Sequence, residues 1–136
     1  MVSRAIEFLF PGITFGPRGQ CVVADDGVGP YIAAWRRPEP QPTPAELAAA
    51  ELPAAKAQRI AANRAECSSR IYARYPAGRQ SSVALGIYSG AEAEAQAQIL
   101  KDWISDLVAA ENSAADLIEA AQSVAAVEAV TVAWPV

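Results

Sequence analysis

Histidine is missing from the 136 residues, cysteine occurs twice and methionine once. The first absence removes the commonest general base and the commonest metal ligand. Cys21 and Cys67 stand far apart with no CxxC, so a zinc site of ordinary composition lacks ligands. In a reducing compartment both read as small buried hydrophobes, and the sequence leaves open whether they form a disulfide. Aromatics make up only 7% of the chain, and 31 of the 136 residues are alanine. Alanine favours helix but buries little area, so helices form readily while a thick core is hard to fill. A partner that covers part of the surface is therefore expected. The apolar run Ile6 to Phe10 ends at Pro11 and is too short for a signal segment or a membrane span, so a cytoplasmic protein without membrane contact is expected.

The residues that are present are patterned. A chain of this length makes one compact domain or two small modules. The net charge of −4 is unevenly spread: residues 1–44 balance to zero, 45–79 carry +3, and 80–136 carry −7. A basic segment followed by an acidic one suits two antiparallel helices with attracting flanks, at about 0 to 1 kcal/mol per exposed pair. The acidic remainder argues against nucleic acid as a partner.

Three regions succeed one another along the chain. Residues 1–35 read as a β-rich antiparallel module: AIEFLF, ITF, QCVVA and YIAAW are short apolar runs cut by Pro11-Gly12, Gly16-Pro17-Arg18-Gly19, Asp25-Asp26-Gly27 and Gly29-Pro30. Residues 36–44, RRPEPQPTP, read as a stiff extended linker, because each residue before a proline is biased away from the α region. Residues 45–136 read as a helical module with a short terminal strand, AVTVAWP. Its first helix starts at a capping box formed by Thr43 and Glu46 with Pro44 at the first helical position. Pro53 predicts a kink or a restart. Ile60, Cys67, Ile71 and Tyr75 share one face, with Lys56, Arg59, Arg70 and Arg74 on an adjacent stripe. A short helical segment is expected around Gln80 to Leu85. Ser89 and Glu92 predict a second capping box, opening a helix whose Leu100, Trp103, Ile104, Leu107 and Val108 recur at helical spacing. Asn112-Ser113 predicts a break, beyond which Ala114, Leu117, Ile118 and Ala121 continue the face. Ile60, Cys67 and Ile71 are expected to face Leu100, Trp103, Ile104 and Leu107. The predicted fold class is α+β: a small N-terminal antiparallel β module, a Pro-rich hinge and a C-terminal Ala-rich antiparallel helical hairpin or bundle.

No constellation supports catalysis. Asp25-Asp26-Gly27 lacks the later ligands of a calcium loop and reads as a turn. Gly16-Pro17-Arg18-Gly19 lacks the spacing of a phosphate loop. Asp102, Asp106, Glu111, Asp116 and Glu119 read as a solvated helix face. Ser81 and Ser82 have no base to activate them. No catalytic residue, metal ligand or cofactor is assigned.

The passage YIAAWRRPEPQPTPAELAAAELPAAKAQRI, with PTPAEL at Pro42 to Leu47, followed by RIYARYPAGRQSS, an acidic helix holding Trp103 and a late apolar stretch ending in Trp134-Pro135, resembles the tail-fibre assembly or chaperone group of tailed bacteriophages. The resemblance implies a protein that binds a phage tail-fibre or baseplate protein in the host cytoplasm during assembly. It leaves open a structural adaptor that stays in the virion tail, and leaves homo-oligomerisation open. Tyr31 and Trp35 are the candidate partner-binding residues: aromatics concentrate binding energy, and in an ideal strand residues four apart share a face. The same two rings would equally serve as cover for the module's own small core.

Overall fold

The computed structural model describes residues 2–87 and 90–136. In chain order it runs α1 (Val2–Leu9), β1 (Cys21–Asp25), β2 (Pro30–Trp35), α2 (Pro44–Arg74), α3 (Ala77–Ala84), α4 (Ala91–Ala120) and α5 (Val124–Ala129). A two-stranded antiparallel sheet near the N-terminus precedes a mainly helical region, which makes the fold α+β. Two compact units divide the chain: unit 1 holds Met1–Ala57 with Gln122–Val124, and unit 2 holds Gln58–Ala121 with Ala125–Val136.

Unit 1 begins with a helix where the sequence suggests a strand. Ala5 to Leu9 of AIEFLF lie in α1, where Val2, Ala5 and Ile6 fall at i, i+3 and i+4 and turn inward while Leu9, one turn further, stays exposed. Ala5 and Ile6 are fully buried. The helix stops where Pro11 follows Phe10, and Gly12 takes a positive φ of 81° that a side chain would resist. Ile13 to Phe15 forms no strand either; Phe15 makes a single bridge to Cys21. β1 and β2 do form the expected hairpin. Its turn is held by Asp25 Oδ1 accepting from the Gly27 amide at 2.8 Å and Asp26 Oδ1 accepting from the Val28 amide at 3.1 Å. The register pairs Cys21 with Trp35, Val22 with Ala34, Val23 with Ile32 and Ala24 with Tyr31, so Ala33 is an extra, bulged residue. The core gathers Ile6, Ile13 and Cys21, with Phe10, Val23, Ile32, Trp35 and Leu47 packed against them.

α2 opens on the expected capping box: the Glu46 amide donates to Thr43 Oγ1 at 3.2 Å and the Thr43 amide to Glu46 Oε2 at 2.8 Å. It then runs unbroken through Pro53 to Arg74. α4 likewise continues through Asn112 and Ser113. The expected cap at Ser89 lies outside the described residues, and Gly90 is the residue that precedes α4.

In unit 2, α4 is antiparallel to the second half of α2. Tyr75 meets Trp103 edge-on at 5.6 Å, and Arg64 Nε lies 3.5 Å from Glu111 Oε1, so numbers fall along one helix as they rise along the other. At an equal rise per residue, Ile71 comes level with Leu107 but Ile60 with Ile118, well past the Leu100 to Leu107 stretch expected opposite it. Leu100, Leu107, Glu111, Ala114 and Ile118 are buried at successive spacings of seven, four, three and four, a heptad-like seam. The final stretch is not a strand. Val124–Ala129 is helical, and residues 130–136 run without ladder partners. Arg59 donates to the Val130 carbonyl at 2.8 Å and the Arg70 guanidinium lies 5.0 Å from the Trp134 ring, so this tail is laid along α2.

Glu111 is the anomaly of the seam. It is 7% exposed, its Oε1 accepts no hydrogen bond among the described residues, and its partner Arg64 has a side chain 71% exposed. One charge is desolvated while the other remains in water, an arrangement in which attraction offsets little of the burial penalty. Glu111→Leu is therefore expected to raise the unfolding free energy by about 1 kcal/mol or more, measured by urea titration. A drop instead would mean that the carboxylate holds Arg64 where the hairpin needs it.

Candidate functional site

The feature of unit 1 with the most built-in geometry surrounds the Pro-rich segment. Trp35 packs edge-on against Phe10 at 5.0 Å, and its indole Nε1 donates to the Glu39 carbonyl at 2.7 Å. Arg37 lies 5.3 Å from the Phe10 ring and grips the Glu39 carboxylate with two bonds of 2.7 and 3.0 Å. That forked contact holds the Glu39 carboxyl below its ordinary range and the Arg37 guanidinium above its own, each through the side-chain bond to the other. Arg36 donates to the Gly19 carbonyl at 2.6 Å. These contacts seat residues 36–39 on the hairpin and the loop before it, so the segment leaves the sheet in a fixed direction.

Two open cavities flank the rest of the Pro-rich segment. One, about 490 Å³, is walled by Leu9, Phe10, Glu39, Pro40, Pro42 and Glu46 among others. A second, about 320 Å³, is walled by Val2, Tyr31, Ile32, Pro42, Leu47 and Glu51 among others. Pro42, buried itself, is a wall of both. Phe8, Leu9, Phe15 and Tyr31 each expose about 40% or more of their surface.

Tyr31 and Trp35 do not share a face. The bulge at Ala33 adds one residue between them, so Trp35 points with Ile32, Cys21 and Val23 into the core while Tyr31 pairs with Ala24 on the other side. Tyr31 is 46% exposed and lines the smaller cavity. No local pattern in the sequence signals the bulge. Phe10, Arg37 and Glu39 escape sequence reasoning as well, because the contacts that give them a role are set by how the hairpin, α1 and the Pro-rich segment meet.

Both cysteines are buried free thiols, Cys21 in unit 1 and Cys67 in unit 2. Burial pushes both thiols above their usual range, and the Glu111 charge adds to the effect at Cys67. Ser82 Oγ donates to the Gly78 carbonyl at 2.9 Å, an ordinary bond within its helix. Among the described residues no cluster of acidic or cysteine side chains could hold a metal ion, and no helix is long and apolar enough to cross a membrane.

Residues 3–59, which span nearly all of unit 1 and the first half of α2, match the family described as XkdW protein, a phage-related family. The match supports a phage-associated protein. No curated protein and no solved structure matches the chain.

Proposed function

We propose that this phage-associated protein acts without catalysis as a tail-fibre assembly factor, holding a fibre or tail subunit in the host cytoplasm through unit 1. The observation that carries the reading is the half-exposed Tyr31 beside a cavity whose wall, Pro42, is fixed by the seated Pro-rich segment. A ring already held on a strand loses little freedom when a partner covers it. Trp35 contributes indirectly: it supports the surface by fixing Glu39 and Phe10. The phage match to unit 1 and the likeness of residues 31–60 to the fibre-assembly group support the same reading.

Co-expression with the fibre subunit tests it. Tyr31→Ala should leave the melting temperature unchanged and weaken capture by about thirtyfold or more, a hot-spot-sized loss. Trp35→Ala should lower the melting temperature itself. Capture that survives Tyr31→Ala unchanged would overturn the assignment of this surface. Assembled particles decide the protein's fate: absence from them marks an assembly factor, and fixed stoichiometry marks an adaptor in the tail or baseplate.

A further inference from the structure

A second surface, in unit 2, has a different chemistry. Arg70 and Arg74 are one turn apart near the end of α2, and each lies over an indole: Arg70 5.0 Å from the Trp134 ring, Arg74 4.5 Å from the Trp103 ring and 5.4 Å from that of Tyr75. A guanidinium stacked on an aromatic face keeps its in-plane N–H groups directed outward and is held in one orientation. Arg70 uses only Nε, which donates to Glu66 at 2.8 Å. Among the described residues Arg74 makes no hydrogen bond and has no carboxylate within 4.0 Å. Trp103 Nε1 is buried beside it with no acceptor. Glu66 is thus the one acceptor bonded to the cluster, and the cluster's remaining donors, including every side-chain N–H of Arg74, outnumber it.

We propose that the Arg70, Arg74, Trp103 and Trp134 platform receives the carboxylates of an acidic peptide segment in a partner protein. Carboxylates match the fork of each guanidinium in pairs, and a short segment presents them singly. A polyphosphate backbone fits less well. Asp102 and Asp106 lie within one turn of Trp103, and the surrounding residues 80–136 carry −7, which repels a dense polyanion more than a few spaced carboxylates. The proposal concerns unit 2 alone and does not depend on the unit 1 reading.

The test is titration of the ¹⁵N-labelled full chain with a peptide carrying two spaced glutamates, Glu-Gly-Gly-Glu with blocked ends, following the indole N–H signals of its three tryptophans. Trp103 and Trp134 should shift while Trp35, in unit 1, stays still as an internal reference. The double variant Arg70→Gln with Arg74→Gln should keep the Trp35 signal and the circular dichroism of the parent yet bind about a hundredfold more weakly, the loss expected of one charge-assisted hydrogen bond at each guanidinium. Arg74→Lys should restore little, because an ammonium lacks the planar fork. Stationary Trp103 and Trp134 signals would overturn the proposal. So would shifts caused by single-stranded oligothymidylate but not by the peptide, which would make the platform a nucleic-acid contact, or concentration-dependent shifts without any peptide, which would make the occupant a second copy of the chain.

Discussion

Leu107→Ala should lower the unfolding free energy of unit 2 by about 2–5 kcal/mol, the range for deleting a fully buried leucine side chain. Leu107 has no exposed surface and sits in the centre of the α4 seam. The cost depends on how far the surroundings can close over the void. Here they can close little, because the next seam positions are Glu111 and Ala114: a carboxylate that gains nothing by moving deeper and a methyl that cannot reach. The upper half of the range is accordingly expected. Leu117→Ala on the same helix is the control, since Leu117 is 61% exposed and its loss should change stability by about 0.5 kcal/mol or less. Amide hydrogen exchange along α4 reads both variants, and equal effects would mean that the seam lies on another face.

That seam shows how far the sequence can be read. Thr43 with Glu46, the alternation of basic and acidic segments and the Leu100 to Ile118 spacing are local signals, and they suffice to find α2, α4 and their antiparallel sense. Glu111 escapes because a charged residue reads as solvated surface. Its position four residues after Leu107 and three before Ala114 is the only clue, and it requires trusting spacing over residue type. α1 is missed for a related reason: AIEFLF is apolar enough to suit a strand, and only the inclusion of Val2 with Ala5, Ile6 and Leu9 reveals a helical period. The tail misleads in the opposite way. Val130, Thr131 and Val132 have strand propensity, but a strand needs an edge to pair with, and Arg59 and Arg70 of a helix hold this stretch instead.

The surface of unit 1 is half legible. Aromatics next to a Pro-rich segment mark the right neighbourhood, while the register that separates Tyr31 from Trp35 is a tertiary outcome. A bulge on β2 lets Trp35 reach Phe10 and the Glu39 carbonyl, contacts that involve residues 25 and 4 positions away and that no local pattern encodes. The Pro-rich segment reads as a spacer in the sequence, yet Pro42 is buried between two cavities, so the stretch is part of the surface itself.

Pro53→Ala should move stability the other way, raising the unfolding free energy by about 2 kcal/mol. Proline inside a helix removes one hydrogen bond and crowds the carbonyl four residues back, here that of Ala49, at a cost of about 3 kcal/mol. It also restricts the unfolded chain, and losing that restriction costs about 0.4–1 kcal/mol of stability. The difference favours alanine. Packing does not oppose the change, because Pro53 is exposed while its neighbours Ala50, Ala54 and Ala55 are buried at 4% exposure or less. Removing the ring therefore takes nothing from the core. Pro40→Ala provides the comparison, for Pro40 lies in the extended segment where no helical bond is missing, and only the unfolded-state effect acts; a slight loss of stability is expected there. Urea titration followed by far-ultraviolet circular dichroism measures both. If Pro53→Ala destabilised the protein as Pro40→Ala does, the local geometry imposed by the ring in α2 would be something the fold requires, and a helix interrupted at Pro53 would have to replace the continuous one.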